Sequence, residues 1–177
     1  IFSIGMIVSS LISMPISWLP NHENSFLFLI GIFTIYLVLS GNRVLLFKKK
    51  SKANFIDKLI SGTLLVGAVA MLVLGSLYLF QQQNAGILFL FFGIISLIMA
   101  IRDFRFFKSI DKSKVLSFHI GKMTGAFAAS ITAFLVAGMR LEGLIYWILP
   151  SIFGGVFIFY WIRKTRKVRK TETISEV

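Results

Sequence analysis

The chain has 177 residues, of which 56% are hydrophobic and 15% charged, and its formal net charge is +12. A soluble domain carries about 25% charged residues, so sparse charges gathered into blocks between long apolar runs indicate a membrane protein. The excess of Lys and Arg does not predict nucleic-acid binding, because the positive-inside bias already produces basic loops. The lack of cysteine excludes disulfides, thiolate nucleophiles and Cys-ligated metals within this chain.

Six apolar runs approach or exceed the length of about 20 residues that a helix needs to cross a bilayer. They lie at residues 1–19, 25–47, 59–80, 85–101, 120–139 and 143–162. None has the alternating polarity of a β-barrel strand, so the prediction is an all-α, polytopic transmembrane bundle of six helices in three hairpins over residues 1–162. Residues 163–177 are predicted to form a basic cytoplasmic tail. Because the chain begins at Ile1 without an initiator Met, we expect further residues upstream.

The basic residues alternate in density from loop to loop. Of the 19, 18 lie in or beside the second loop, the fourth loop and the tail, and only Arg140 falls on the other side. Short loops rich in Lys and Arg stay in the cytoplasm, which predicts a multi-pass membrane protein with both termini cytoplasmic. The same interpretation assigns Asp57, Asp103 and Asp111 to cytoplasmic loops and leaves every span without an acidic residue.

A weak repeat relates the three hairpins. In the second helix of each hairpin, a glycine precedes an arginine at the same separation: Gly31 and Arg43, Gly93 and Arg105, Gly154 and Arg166. Thr34 and Ser96 also correspond. Glycine is common in membrane helices and cations commonly lie at their ends, so internal duplication remains one of two explanations.

Candidate ligand-binding residues gather at the predicted cytoplasmic ends of the helices. His119 begins the fifth helix, and helical spacing puts Lys122 on the same face. His119 is an interfacial anchor, a ligand for haem or metal, or one half of a phosphate-binding pair with Lys122. A haem or metal site would require a second ligand, because one His makes no metal site. Arg43 and Arg105 are candidates for binding anionic lipid head groups. The other histidine, His22, is expected to be solvated in the first outer loop.

Small residues predict a close helix crossing in the fifth helix. Gly121 and Gly125 form a G-x-x-x-G pattern, which lets two helix backbones approach each other closely. We expect this crossing to be internal, and a homodimer seam is the alternative. Pro150 in the sixth helix predicts a kink.

Two long segments carry a family resemblance. HIGKMTGAFAASITAFLV (residues 119–136), which WILPSIFGG follows, and FLFLIGIFTIYLVLSGNRVL (residues 26–45) resemble small, uncharacterised multi-spanning membrane proteins of bacteria, notably of the Bacteroidota. The resemblance covers most of the chain and implies the polytopic topology and a bacterial inner membrane, but it implies no reaction. In such proteins a basic, His-containing stretch precedes the first helix, and it is missing here. Lys122 stands where the resemblance leads us to expect Arg.

The sequence leaves three functional hypotheses open. The first is a non-catalytic inner-membrane subunit or scaffold with a membrane-protein partner or a second copy. The second is a carrier or channel for a small or lipidic substrate, which is disfavoured because such carriers commonly use a carboxylate within the membrane. The third is a haem- or metal-binding redox protein that uses His119; the first two require no cofactor. Paired catalytic acids, a Gly-rich phosphate loop and H-E-x-x-H are all missing from the sequence, which argues against an enzyme.

Overall fold

The computed structural model describes residues 1–20, 24–139 and 143–175, with side chains described except at 137–138 and 165–175. His22 and Arg140 therefore lie outside the described residues. The described chain contains no strand and consists of six α-helices: α1 (Phe2–Ile16), α2 (Ser25–Arg43), α3 (Phe55–Phe80), α4 (Ala85–Lys108), α5 (Val115–Ala133) and α6 (Leu144–Ser175). The predicted all-α class is confirmed.

Among the residues that the structure describes, five segments are long and apolar enough to cross a membrane: Ser25–Lys48, Phe55–Phe80, Ala85–Lys108, Lys112–Val136 and Leu144–Lys164. The first segment joins α2 to a 3₁₀ turn at Val44–Lys48, and the fourth joins a 3₁₀ turn at Lys112–Lys114 to α5. The helix α1 is apolar but shorter. The chain is therefore a multi-pass integral membrane protein.

The helices α3, α4 and α5 extend further at their basic ends than the apolar runs predict. The helix α3 begins at Phe55 instead of residue 59, α4 continues to Lys108 instead of ending at residue 101, and α5 begins at Val115 instead of residue 120. Placing Asp57 and Asp103 in loops was therefore wrong, because both lie within helices and are buried. The predicted spans 59–80 and 85–101 stop at the charged residues Lys58 and Arg102, whereas Asp57 and Asp103 beyond them have partners inside the protein.

Residues 1–122 form one compact unit, which contains α1 to α4 and the first part of α5. Within it α1 packs against α2, α2 packs against α3, and α3 packs along α4. The α3–α4 pair is a tight antiparallel hairpin, since only the residues between Phe80 and Ala85 separate the two helices. Large apolar side chains such as Leu37, Leu64 and Met71 fill the core of this unit.

Residues 123–177 form the second unit. It contains the rest of α5, a π-helical turn at Phe134–Gly138 and α6, which contacts that turn. The helix α6 runs unbroken through Pro150, and the kink there stays a prediction. It also continues past residue 162, where the apolar run ends, as far as Ser175.

The glycines of the predicted repeat each lie against the preceding helix of their own hairpin. A methyl group added to these glycines would lie 2.8 Å from Met14 Cγ at Gly31, 3.1 Å from Met71 Cβ at Gly93, and 3.1 Å from Ala128 Cβ at Gly154. Small residues at such positions let two membrane helices approach closely. The glycines therefore have the same packing role in each hairpin, while a common origin of the hairpins stays a prediction.

Candidate functional site

The buried side of α4 carries a carboxylate into the protein interior. Phe89, Phe92, Ser96, Ala100 and Asp103 recur at intervals of three or four residues and are all buried. This spacing places them along one face of a helix. Asp103 is therefore directed toward the neighbouring helices by the same periodicity that buries the apolar residues before it.

Three donors from three other helices converge on one oxygen of Asp103. Tyr36 Oη in α2, Ser61 Oγ in α3 and Lys122 Nζ in α5 each donate to Asp103 Oδ2 over 2.8 Å. The Lys122 and Asp103 side chains are 6% and 2% exposed. Lys122 Nζ also lies 5.1 Å from the centroid of the Tyr36 ring, within cation–π range. The result is a buried ion pair with two hydroxyl donors, and it joins four helices through one atom.

A second ion pair lies where α2 ends and α3 begins. Arg43 Nε donates to Asp57 Oδ1 over 2.7 Å, and the Asn54 N–H donates to Asp57 Oδ2 over 2.9 Å. Asn54 and Asp57 form a capping box, which satisfies backbone donors at the start of α3. The Arg43 side chain is 25% exposed and that of Asp57 only 4%. This pair is therefore more open to solvent on its Arg43 side than the Asp103–Lys122 pair.

Both ion pairs line the same small pocket. Its polar lining consists of Ser40, Arg43, Asp57, Ser61, Asp103 and Lys122. Apolar walls include Phe47 and Phe106, whose rings pack edge to face with centroids 5.4 Å apart. The cavity volume is about 10 Å³, which is room for about one water molecule. We refer to this cavity as the ion-pair pocket.

His119 ties the start of α5 to the end of α2. Its Nδ1 lies 2.7 Å from the Gly41 carbonyl oxygen. Because a carbonyl only accepts hydrogen bonds, Nδ1 carries the proton, and in the neutral ring Nε2 does not. Ligating histidines are commonly oriented in this way by a backbone carbonyl, so the geometry fits either an anchor or a ligand. Among the residues that the structure describes, no group of three or more His, Cys, Asp or Glu could hold a metal ion.

The structure brings together some of the predicted ligand-binding residues but not all of them. Arg43 and Lys122 line the ion-pair pocket, whereas Arg105 is exposed and does not line it. Because each of the two pocket cations is paired with a carboxylate, an anionic head group would have to displace that carboxylate to bind there. Gly121 and Gly125 are half-buried, and their role in a close crossing stays a prediction.

The sequence interpretation missed Asp103 and its hydroxyl donors. The available signal was the apolar character of the residues around Asp103, since Phe104, Phe106 and Phe107 follow it. A span that ends at a charged residue is not expected to resume with three aromatic residues. Asp111, in contrast, does lie outside the helices. The Ser113 N–H and side chain and the Lys114 ammonium bond its carboxylate and hold the pKa of Asp111 at about 2.

No protein-family model, curated protein or solved structure matches this chain. The family resemblance therefore stays a prediction. What can be inferred about function depends on the two ion pairs and on the pocket that they line.

Proposed function

We propose that the protein is a membrane carrier for a small or lipidic substrate, and that the Asp103–Lys122 pair is its mobile charged element. The supporting observation is a 2.8 Å ion pair with almost no exposed surface inside a set of apolar helices. Charged side chains at such positions are costly and are concentrated along substrate and ion pathways. The sequence argument against a carrier assumed spans without a carboxylate, and Asp103 removes that assumption.

The proposed mechanism depends on the contacts of a single atom. Tyr36, Ser61 and Lys122 all donate to Asp103 Oδ2. If Asp103 loses its charge, all of these hydrogen bonds weaken together and Lys122 is left buried without a counter-ion, which costs several kcal/mol. The links from α2, α3 and α5 to this point of α4 would then loosen in one step. Alternating access requires a two-state element of this kind.

A non-catalytic subunit or scaffold is the second candidate. The observation that favours it is the size of the ion-pair pocket, which has room for about one water molecule and for no larger substrate in this conformation. In that case the two ion pairs would serve only to fix the helices, and a partner protein or a second copy would supply the activity.

In either case we propose that the protein lies in a bacterial inner membrane, as the resemblance implies. We also propose that both termini are in the cytoplasm, because the basic residues are distributed asymmetrically among the loops. The exposed cations at the pocket end of the helices, including Arg105, would then face anionic lipid head groups. This orientation puts the pocket near the cytoplasmic surface.

Reconstitution of the purified protein into liposomes tests the carrier proposal. Currents on a solid-supported membrane are recorded after concentration jumps of amino acids, sugars, organic anions and nucleosides. A dithionite assay follows the flipping of a fluorescent phospholipid. We expect activity in at least one assay, its loss in Asp103→Asn, and its retention in Asp111→Asn, the matched change at an acid outside the spans. If the wild type behaves like empty liposomes, or if Asp103→Asn stays fully active, the carrier proposal fails and the scaffold is favoured.

A further inference from the structure

The two ion pairs of the pocket differ in their access to solvent. The Arg43 side chain is 25% exposed, whereas the Asp103 side chain is 2% exposed, although both line the same cavity. The pocket therefore extends from a residue that solvent contacts to a carboxylate that is otherwise enclosed. Arg43 and Asp57 form its outer part, and Asp103 and Lys122 form its inner part.

The charge and size of the pocket restrict what it can hold. Its two cations and two carboxylates balance, so the site has no net charge with which to hold an ion permanently. Its volume of about 10 Å³ admits about one water molecule. A buried water needs two to four polar partners, and the polar side chains of the lining supply them.

The serine hydroxyls of the lining are suited to receive hydrogen bonds from water. Ser40 Oγ donates to the Tyr36 carbonyl over 2.6 Å, and Ser61 Oγ donates to Asp103 over 2.8 Å. With its one proton engaged, each hydroxyl oxygen keeps acceptor capacity. The Arg43 and Lys122 side chains have further N–H groups beyond those in their ion pairs. A single water molecule therefore has both donors and acceptors within the pocket.

We propose that the ion-pair pocket is a water-filled port that connects solvent at the basic end of the helices to Asp103, and that the proton is the ion the carrier uses. The proposal of a port depends only on the lining and size of the pocket, whereas the use of the proton rests on the proposed carrier function. A hydronium ion in the pocket gives its proton to Asp103: an O–H bond forms on the carboxylate, an O–H bond of hydronium breaks, and water stays behind. The ionisable groups that bond Asp103 or line the pocket with it are Tyr36 and Arg43 from α2, Asp57 from α3 and Lys122 from α5. The exposed Arg102 adjoins Asp103 in α4.

The chain allows a direct test because it contains no cysteine. A single introduced cysteine gives one S–H stretching band, in an infrared region free of other protein bands, and transfer into D₂O converts it to S–D when water reaches the thiol. Ser40→Cys and Ser61→Cys place the thiol in the pocket wall. Ser96→Cys is the matched control, since Ser96 is also in a helix and is 0% exposed, but does not line the pocket. Its hydroxyl has no hydrogen-bond partner among the residues that the structure describes.

We expect the pocket thiols to exchange at least tenfold faster than the thiol at position 96 in folded protein. Equal rates at positions 61 and 96 would overturn the port, and if Ser61→Cys does not fold, the comparison of positions 40 and 96 decides. The readout does not depend on transport. If the pocket thiols exchange slowly while transport is intact, the port is refuted and the carrier is not. If they exchange fast but the protein transports nothing, the carrier is refuted and the port is supported.

Discussion

Lys122 Nζ lies 2.8 Å from Asp103 Oδ2, and neither side chain has more than 6% of its surface exposed. The two residues are on different helices, so the pair joins α5 to α4. The ionic hydrogen bond is charge-assisted and stronger than a neutral one, but burial makes each charge dependent on the other. Changes at the two positions should therefore be strongly coupled.

Removing both members of this pair should cost less than the sum of the costs of removing each one alone. Asp103→Asn and Lys122→Met should each lower the free energy of unfolding by about 3–5 kcal/mol, because each leaves a buried polar or charged group without its partner. The double variant should cost less than the sum of the single changes by at least about 1 kcal/mol. Unfolding in mixed micelles with increasing SDS measures these values. Additive effects would show that the pair contributes no coupling.

The α3–α4 hairpin should be sensitive to a single methyl group at Gly86. A Cβ there would lie 2.7 Å from the Gly75 carbonyl oxygen and 2.9 Å from the Leu79 backbone nitrogen, and backbone atoms cannot move aside easily. Gly86→Ala should therefore lower the free energy of unfolding by about 1–3 kcal/mol. Gly62→Ala, where a Cβ meets nothing within 4 Å, should raise it by about 0.5–1 kcal/mol. Equal effects in the same SDS titration would contradict this account.

The predicted orientation can be tested with single cysteines in a chain that has none. Gln82 lies in the turn between α3 and α4, whereas Ser51 and Ser113 lie in the connections before α3 and α5, and all are exposed. An impermeant maleimide added outside intact cells should label Gln82→Cys and leave Ser51→Cys and Ser113→Cys unlabelled until the cells are opened. Because all three positions are exposed, a difference in labelling reports the side of the membrane. The reverse labelling pattern would show that the orientation in the membrane is opposite to the predicted one.

His119 should act through its hydrogen bond to Gly41. If it is an anchor, His119→Ala should lower the free energy of unfolding by about 0.5–1.5 kcal/mol, the usual net value of such a bond. His119→Gln, whose amide can still donate, should lower it less. The alternative, a ligand for haem or metal, predicts a Soret band or stoichiometric metal in purified wild-type protein. Loss of that signal in folded His119→Ala protein would show that His119 is a ligand and not only an anchor.

The sequence predicts the helices well because apolar runs of spanning length have few other folded states in a bilayer. It fails at their basic ends for a physical reason. Asp103 is compatible with burial only through Tyr36, Ser61 and Lys122, which lie on other helices. No local pattern in the sequence specifies these contacts between residues far apart in the chain. Asp111 was placed correctly because its partners, Ser113 and Lys114, are its close neighbours in the chain.

The order of the residues around Asp103 has a consequence for synthesis. Tyr36 and Ser61 leave the ribosome before Asp103, and Lys122 leaves it afterwards. An aspartate costs roughly 2.5–3.5 kcal/mol at the centre of a newly inserted helix and less toward its end, where Asp103 lies in α4. The nascent α4 meets this smaller cost while its counter-ion is still untranslated. The two hydroxyl groups are already available to donate hydrogen bonds that offset part of this cost. When α5 follows, the carboxylate is in place to draw Lys122 inward, so the last-made partner completes the assembly.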